Sequence, residues 1–576
     1  PASAWTARAL SLATAIPETA ATDSPGAAAT SAAAATSAAA TTSSAPTILG
    51  EDEARAATMR VFAFKKDYAR AYAEASAASD RTLAISAAMA ADAGKAYLYA
   101  KKSVEGAARF AAVEETAYAA GEKYAAWTAL FYRGRFARDL ERWAEASKLF
   151  ADAAGAARAA GASTADADAA IWYAAECSGK AADAEASAAI AKAKAKNGSA
   201  TVLRAEARAR SASLDALIGA SLSWGGPGDF TDLADDLLRK ALRARDFGLV
   251  ERMASELAPR LTPTLRSRAR YVAARAAELG LYKASAGATA PRENFLAIAS
   301  DSSAPLYYRA LASWRSGEAL SFIPADSAPR DEIKAAKPGE LETFVSLFAE
   351  FGLGSLAASE ARRALGDLEP EALRRVALRL SEKGQHDYAI RVAGLLLEKE
   401  DYEATREDWL LLYPRPYLRQ LREASDDPRM SERFLLGLVR SESAFRADVA
   451  SSAGAIGLAQ LMSATAAERA ASLKMKDYDL KSPSDNLRLG FAHMTWLLDR
   501  TDSLLRSIMA YNAGLSRLRT WASEGAGLPD DLLVESITIA ETRQYCRNIL
   551  QAAAVYGELY EGVPPGATAG KIVEGL

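Results

Sequence analysis

The stretch Leu435-Leu-Gly-Leu-Val-Arg-Ser-Glu442-Ser-Ala-Phe445, followed by Ser451-Ser-Ala-Gly454-Ala-Ile-Gly457-Leu-Ala-Gln460-Leu-Met462, reads as a helix with one carboxylate, a glycine loop and a second helix. Leu435, Leu438, Glu442 and Phe445 follow the spacing of one helix face. Glu442 therefore interrupts an apolar stripe, where an ordinary surface glutamate would not be placed. Burial disfavours the charged form of a carboxyl, so this position predicts a raised pKa. A carboxyl that stays protonated near neutral pH can act as a general acid. Gly454 and Gly457 permit positive φ and let backbone amides approach a ligand.

Working outward, Asp427-Pro428 offers an N-cap and a first-turn proline for the Glu442 helix. Thr465-Ala-Ala-Glu468 has the form of a capping box for the next helix. Tyr511 lies three residues past Ile508 and seven past Leu504, so its ring shares their apolar face while its hydroxyl needs a partner. Gly514 reads as a helix C-cap. Upstream, Pro414 and Pro416 make Leu411 to Tyr417 an extended connector, the clearest boundary in the chain.

The chain has 576 residues, enough for several domains. Half of them are hydrophobic, but alanine inflates that share. Alanine favours helix and buries little area, so many closely spaced helices are expected rather than one thick core. No run of alternating β-branched residues stands out, and the expected class is all-α. From Glu51 to about Glu400 helix follows helix. Gly134, Ala146, Phe150 and Ala153 match small-or-aromatic positions of the tetratricopeptide consensus, and Leu130 fits an apolar one. Gly384, Ala389 and Ala393 form a weaker echo. Stacked helix pairs of this kind predict an α-superhelix with a concave face. Breaks are expected over Gly287 to Pro305 and Ser327 to Pro338.

Residues from about Ala20 to Thr47 are nearly all Ala, Ser and Thr, a composition that predicts disorder. Trp5 to Ile16 is a candidate signal remnant. The chain begins at Pro1, so a trimmed leader is expected, with membrane association through it as one option. The expected domains are 1–50 (disordered segment), 51–405 (helical repeats) and 406–576 (catalytic domain).

A net charge of −3 provides no basic footprint for nucleic acid. Cys177 and Cys546, the only cysteines, are expected as core thiols. The only histidines, His386 and His493, lack a nearby cysteine cluster, so no zinc site and no other cofactor is expected. His493 reads as a packing residue rather than a base. Tyr307, Tyr308 and Trp314 read as interhelical core in preference to a sugar platform. Asp448 reads as a solvated loop acid.

The order Glu442-Ser-Ala-Phe445, Ser451 to Met462, Ala510-Tyr-Asn-Ala-Gly514 and Glu535-Ser-Ile-Thr-Ile-Ala-Glu541-Thr-Arg-Gln-Tyr545 resembles the soluble lytic transglycosylases, goose-lysozyme-like enzymes that cut peptidoglycan. Tyr413-Pro-Arg-Pro-Tyr417 is similar to that family's link between superhelix and catalytic domain. The resemblance runs from about Leu411 to Tyr556 and is only architectural before that. It implies that Glu442 is the catalytic acid and then base. It implies substrate contacts at Ser451, Gly457, Gln460 and Met462 and at Tyr511 and Asn512, with the Tyr511 hydroxyl close to the catalytic carboxyl. It implies a second acidic residue at Glu541, which is also explicable as a first-turn glutamate favoured by the helix dipole. Ala459 and Ser463 stand where the family commonly has Met and Pro, and Thr538-Ile539 where it has Pro-Phe. None of these removes a group the mechanism needs.

The implied reaction is cleavage of the β-1,4 bond between N-acetylmuramic acid and N-acetylglucosamine, with a 1,6-anhydro-muramoyl end as product. The implied partners are peptidoglycan glycan strands and, through the superhelix, other cell-envelope proteins, in a periplasmic or otherwise extracytoplasmic setting. A hydrolytic muramidase and a non-catalytic peptidoglycan-binding scaffold are the alternatives.

Overall fold

The computed structural model describes residues 51–194, 199–324 and 338–575. The segment 1–50 and residues 325–337, which take in the expected second break up to residue 337, lie outside the described residues. Among those described, the fold is all-α, as the sequence predicts. Its only β features are two isolated bridges, Ala450 to Ile456 and Ile456 to Leu461, which pinch the glycine loop. No helix among them is long and apolar enough to cross a membrane. The chain divides into two compact units, which meet in sequence between Arg266 and Ser267.

In the N-terminal unit each helix packs on its neighbours in sequence. Lys123–Asp139 and Trp143–Ala159 form the pair that the repeat consensus picks out. Gly134 and Phe150 explain the consensus physically, because a Cβ on Gly134 would stand 2.8 Å from the Phe150 ring. Ala146, Phe150 and Ala153 are fully buried beside them. The same device recurs where the sequence reading found no repeat. Gly94 faces Tyr132 and Gly106 faces Phe136, each too close for a side chain. A small residue under a ring lets two helices approach while the ring fills the space between them.

The turns repeat as well. Lys66, Lys101, Glu141 and Arg245 each adopt a left-handed conformation at a helix end. In each case the following amide reaches back to a carbonyl of the last helical turn, as in Lys102 to Tyr97 (2.8 Å) and Arg142 to Ala137 (2.9 Å). This is the Schellman arrangement, here built without glycine.

The C-terminal unit contains the Glu442 region and helices from residue 267 onward, so the boundary expected at residue 406 falls inside it. The Gly384 echo is of a different kind. Gly384 sits at φ 72° in the turn between Pro370–Glu382 and His386–Leu396, not under a ring. The close approach in this region belongs to Gly354, whose Cβ position lies 2.4 Å from Tyr388. The connector begins later than expected, because Leu411 and Leu412 end the helix Arg406–Leu412. Tyr413 to Tyr417 then leave helical geometry. Tyr560 donates to the Tyr413 carbonyl and Tyr556 to that of Pro414, both at 2.8 Å. The Arg415 guanidinium lies 3.8 Å from the Tyr560 ring centroid.

Two expected caps are replaced. The Glu442 helix runs Glu432–Ser443 with Ser431 at its N-cap, while Asp427 closes its own turn on the Arg429 amide at 3.0 Å. The next helix is Ser463–Ser472, capped at Met462 without a side-chain bond, so the Thr465 box does not form. Gly514 does end its helix, at φ 86°.

A buried ionic hub holds this unit together. Glu535 is paired with Arg268 at 2.6 Å and with Arg547, and accepts from Tyr308 at 3.1 Å. Beside it, Asp531 accepts from Arg275 (3.0 Å) and Tyr271 (2.7 Å). Tyr307 and Tyr308 are therefore core residues, while Trp314 is partly buried between Arg275 and Arg315. Both cysteines are buried free thiols, also as expected.

Burial alone would raise the Glu535 carboxyl, but Arg547 and Arg268 outweigh it and hold it at about 2. A carboxyl depressed on folding stabilises the fold above its unfolded pKa, near ~4.3, and loses that contribution as pH falls toward 2. Glu535→Gln leaves two buried arginines under-compensated, a loss of about 3–5 kcal/mol. Hydrogen exchange along Ala540–Tyr556 should show that loss at pH 7, and acidification from pH 5 to 2 should affect the variant less than the parent.

Candidate active site

The Glu442 helix reaches its position by packing closely on the helix Ala540–Tyr556. A Cβ on Gly437 would lie 3.1 Å from the Ile549 carbonyl and 3.2 Å from the Ala553 nitrogen, so a side chain there would push the facing backbone back by a few tenths of an ångström. Leu435 and Leu438 are buried on the stripe that the sequence predicts. Further along the same contact, the Tyr545 hydroxyl donates a hydrogen bond to Glu442 Oε1. Glu442 keeps part of its surface open to solvent.

Burial pushes the Glu442 carboxyl up to about 8, nearby Glu541 adds to the rise, and the Tyr545 bond opposes it. The group is thus protonated at neutral pH, as the apolar stripe predicts. The resemblance assigns Tyr545 no role. Its signal is its spacing of four residues from Glu541, one turn along the same helix. Tyr511, whose hydroxyl is expected close to the carboxyl, donates to the Ala459 carbonyl at 2.7 Å. It still senses Glu442, since burial first and the carboxylate second raise its hydroxyl well above the usual tyrosine range. Tyr511 thus braces the loop while Tyr545 bonds the acid.

The loop is held by Asn486, a residue that no motif in the sequence marks. Fully buried, it accepts from the Ala459 amide (2.7 Å) and donates to the Ile456 (2.9 Å) and Leu480 (2.8 Å) carbonyls. Gly457, at φ 81°, packs directly against Asn486, and its amide donates to Val449 at 2.9 Å. That amide is therefore engaged within the loop rather than offered to a ligand. Gln460 is left-handed at φ 45°, and its side-chain amide donates to the Gly457 carbonyl at 2.8 Å, which orients its Oε1. Ser451 Oγ accepts from the Ala455 amide at 3.0 Å and closes the turn around Gly454. Ser443, next to Glu442, donates to the Leu458 carbonyl at 2.9 Å and ties the loop to the acid's helix. Met462 is 45% exposed, an unusual state for a large apolar side chain.

Ala459 is fully buried, and its Cβ lies 2.4 Å from the position a Cβ on Gly490 would take. The departure from Met at this position therefore changes packing behind the loop. Asn512, exposed, accepts from Thr542 at 2.6 Å, which fixes it beside the first turn that carries the exposed Glu541. His493 stacks on Trp496 (5.6 Å between centroids), and burial and Arg469 lower it to about 4, so it is neutral and packed. Asp448, with its side chain 80% exposed, is the solvated loop acid expected.

The chemistry available is that of one protonated carboxyl with a tyrosine donor, beside a braced loop. Residues 419–533 match the family model described as Transglycosylase SLT domain. The chain is 28% identical over 259 residues to a soluble lytic murein transglycosylase of Salmonella typhimurium, covering 43% of this chain and 38% of the relative. It is 31% identical over 150 residues to that of Escherichia coli K12, covering 25% and 23%. The matches thus span well under half the length of these curated relatives. Among solved structures, the 70 kDa soluble lytic transglycosylase of Escherichia coli aligns over 90% of this chain and 87% of its own, at 17% identity and TM-score 0.47. An inactive mutant of the lytic transglycosylase Slt from Pseudomonas aeruginosa aligns over 89% and 87%, at 19% and 0.49. Residues 419–533, which include Glu442, the glycine loop and Tyr511, belong to the transglycosylase SLT domain family.

Proposed function

We propose that this chain is a peptidoglycan lytic transglycosylase in which Glu442 serves as acid and then as base. The observation that carries the reading is the Glu442 carboxyl held at about 8 beside the Tyr545 hydroxyl, within a transglycosylase SLT domain. Protonated Glu442 donates to the oxygen between N-acetylmuramic acid and N-acetylglucosamine, and the bond from that oxygen to muramoyl C1 breaks. The Tyr545 hydroxyl stabilises the carboxylate so formed. That carboxylate takes the proton of the muramoyl 6-hydroxyl as its oxygen closes on C1, which gives the 1,6-anhydro end and restores the acid. One carboxyl performs both transfers, so the paired carboxylates of most glycosidases are not required. Asp448, turned to solvent and Arg446, supports a single-acid scheme.

Ser451, Gly457, Gln460, Met462, Tyr511, Asn512 and Glu541 are proposed to form the substrate site around this acid. Direct contact suits the exposed Met462, the Gln460 carbonyl and Asn512. Gly457 and Tyr511 act through the shape of the loop. The substrate places the protein outside the cytoplasm, with glycan strands as its partner. The N-terminal helix pairs are a surface for those strands or for other envelope proteins.

Glu442→Gln should leave the fold intact and abolish release of fragments from purified sacculi; unchanged lysis would falsify the assignment. Mass spectrometry of the parent's products should find ends lighter than reducing ends by one water, whereas reducing ends would identify a hydrolytic muramidase. In the parent, kcat/KM should fall as pH rises through about 8, because Glu442 then loses its proton. Tyr545→Phe removes a bond that lowers the Glu442 pKa, so the alkaline limb should move to higher pH. The same change should lower kcat by about 10- to 100-fold, as expected for a hydrogen bond to a charged group. A profile identical to the parent's would remove Tyr545 from the mechanism.

A further inference from the structure

The helix that carries Glu442 ends on residues ill suited to its final turn. Ala444 (φ 47°) and Phe445 (φ 66°) are both left-handed, although neither is glycine. Side chains disfavour that region, and such turns persist only where their surroundings over-determine them. Phe445 is buried and anchors the turn from one side. Arg446 follows, its amide donating to the Ser443 carbonyl at 3.0 Å. Its guanidinium lies 3.5 Å from Asp387 Oδ2, a carboxylate with only 3% of its side chain exposed.

Asp387 comes from a different part of the unit, the first turn of His386–Leu396. Its Oδ2 is buried and has no hydrogen-bond partner, which leaves the Arg446 charge as its compensation. Arg391 is the other cation that acts on it. On the water side Arg446 has only Asp448, at 3.9 Å and largely solvated. A buried carboxylate compensated in this way is weak evidence for stability, since an apolar pair often serves as well. What the pair supplies is direction, because it holds Arg446 directly after the Ala444-Phe445 turn that follows Glu442.

We propose that Asp387 is a positioning residue for Glu442: through Arg446 it holds the left-handed turn that ends the Glu442 helix, and with it the approach of that carboxyl to Tyr545. The inference rests on Glu442 being the reacting acid. Asp387 and Arg446 touch no substrate in this scheme.

The test compares the full chain with Asp387→Asn, Arg446→Met, the double variant and Arg446→Lys, using soluble glycan fragments prepared from sacculi. Each of the first two should lower kcat by about 10- to 100-fold, the cost of a small misplacement of a reacting group, with KM within about twofold. The double variant should be no slower than the slower single one, because both break the same link. Arg446→Lys, which keeps the charge, should retain most of kcat. If Asp387→Asn does not fold, Arg446→Met against Arg446→Lys makes the same comparison at a part-exposed position. Losses that multiply in the double variant, or a kcat within twofold of the parent in Arg446→Met, overturn the proposal. Glu442→Gln is run beside them. If it is inactive while Arg446→Met is fully active, the positioning role alone fails, and if it remains active both readings fail.

Discussion

The site depends on the close crossing of two helices at Gly437. Without a side chain there, Glu432–Ser443 settles against the Ile549 and Ala553 backbone. That contact brings Glu442 to the Tyr545 hydroxyl. It buries the carboxyl enough to keep its proton near neutral pH and supplies the donor that steadies it once the proton has left. The rest of the C-terminal unit serves this crossing. The Glu535 hub ties Arg547 on the Tyr545 helix to Arg268 and Tyr308, and Tyr556 and Tyr560 fasten the connector to the same helix's far end.

The acid was legible because an amphipathic helix shows its buried face in its own spacing, and a glutamate within that face is anomalous by itself. Its hydrogen-bond partner was not. Tyr545 lies 103 residues away, and no local periodicity relates the two. Asn486 was illegible for a related reason. A buried asparagine that bonds two backbone groups of a distant loop and one just before its own helix looks, in sequence, like any polar residue in the first turn of a helix. The sequence shows that the Tyr511 hydroxyl needs a partner, and a backbone carbonyl of Ala459 meets that need. Side-chain type states that a polar group must be satisfied, and the fold alone decides by what.

The helix pairs show the same limit. Gly134 with Phe150 was recognisable because both fall within one consensus frame. Gly106 with Phe136 and Gly94 with Tyr132 perform the same task across other spacings. The turns repeat in backbone geometry while the residue at the left-handed position changes from Lys to Glu to Arg. A repeat kept in conformation and lost in identity leaves little periodic signal for a sequence to show.

Two glutamates of one unit define what the site can do. Glu442 and Glu535 are both desolvated, and desolvation raises both. Around Glu535 the Arg547 and Arg268 guanidinia reverse that effect and hold it at about 2, so it stays ionised and serves as a fixed charge. Around Glu442 no cation opposes the burial. The neighbouring charge is the acidic Glu541, and a single tyrosine offsets part of the rise, so the group rests at about 8. Depth of burial does not separate an acid from a structural anion here; the sign of the nearest charge does. Arg440, two residues before Glu442, donates to the Leu412 carbonyl at 3.2 Å, and Arg446, four residues after it, has its guanidinium turned to Asp387 and Asp448. Aimed instead at Glu442, either guanidinium would stabilise the carboxylate and draw the pKa down, leaving the group ionised near neutral pH.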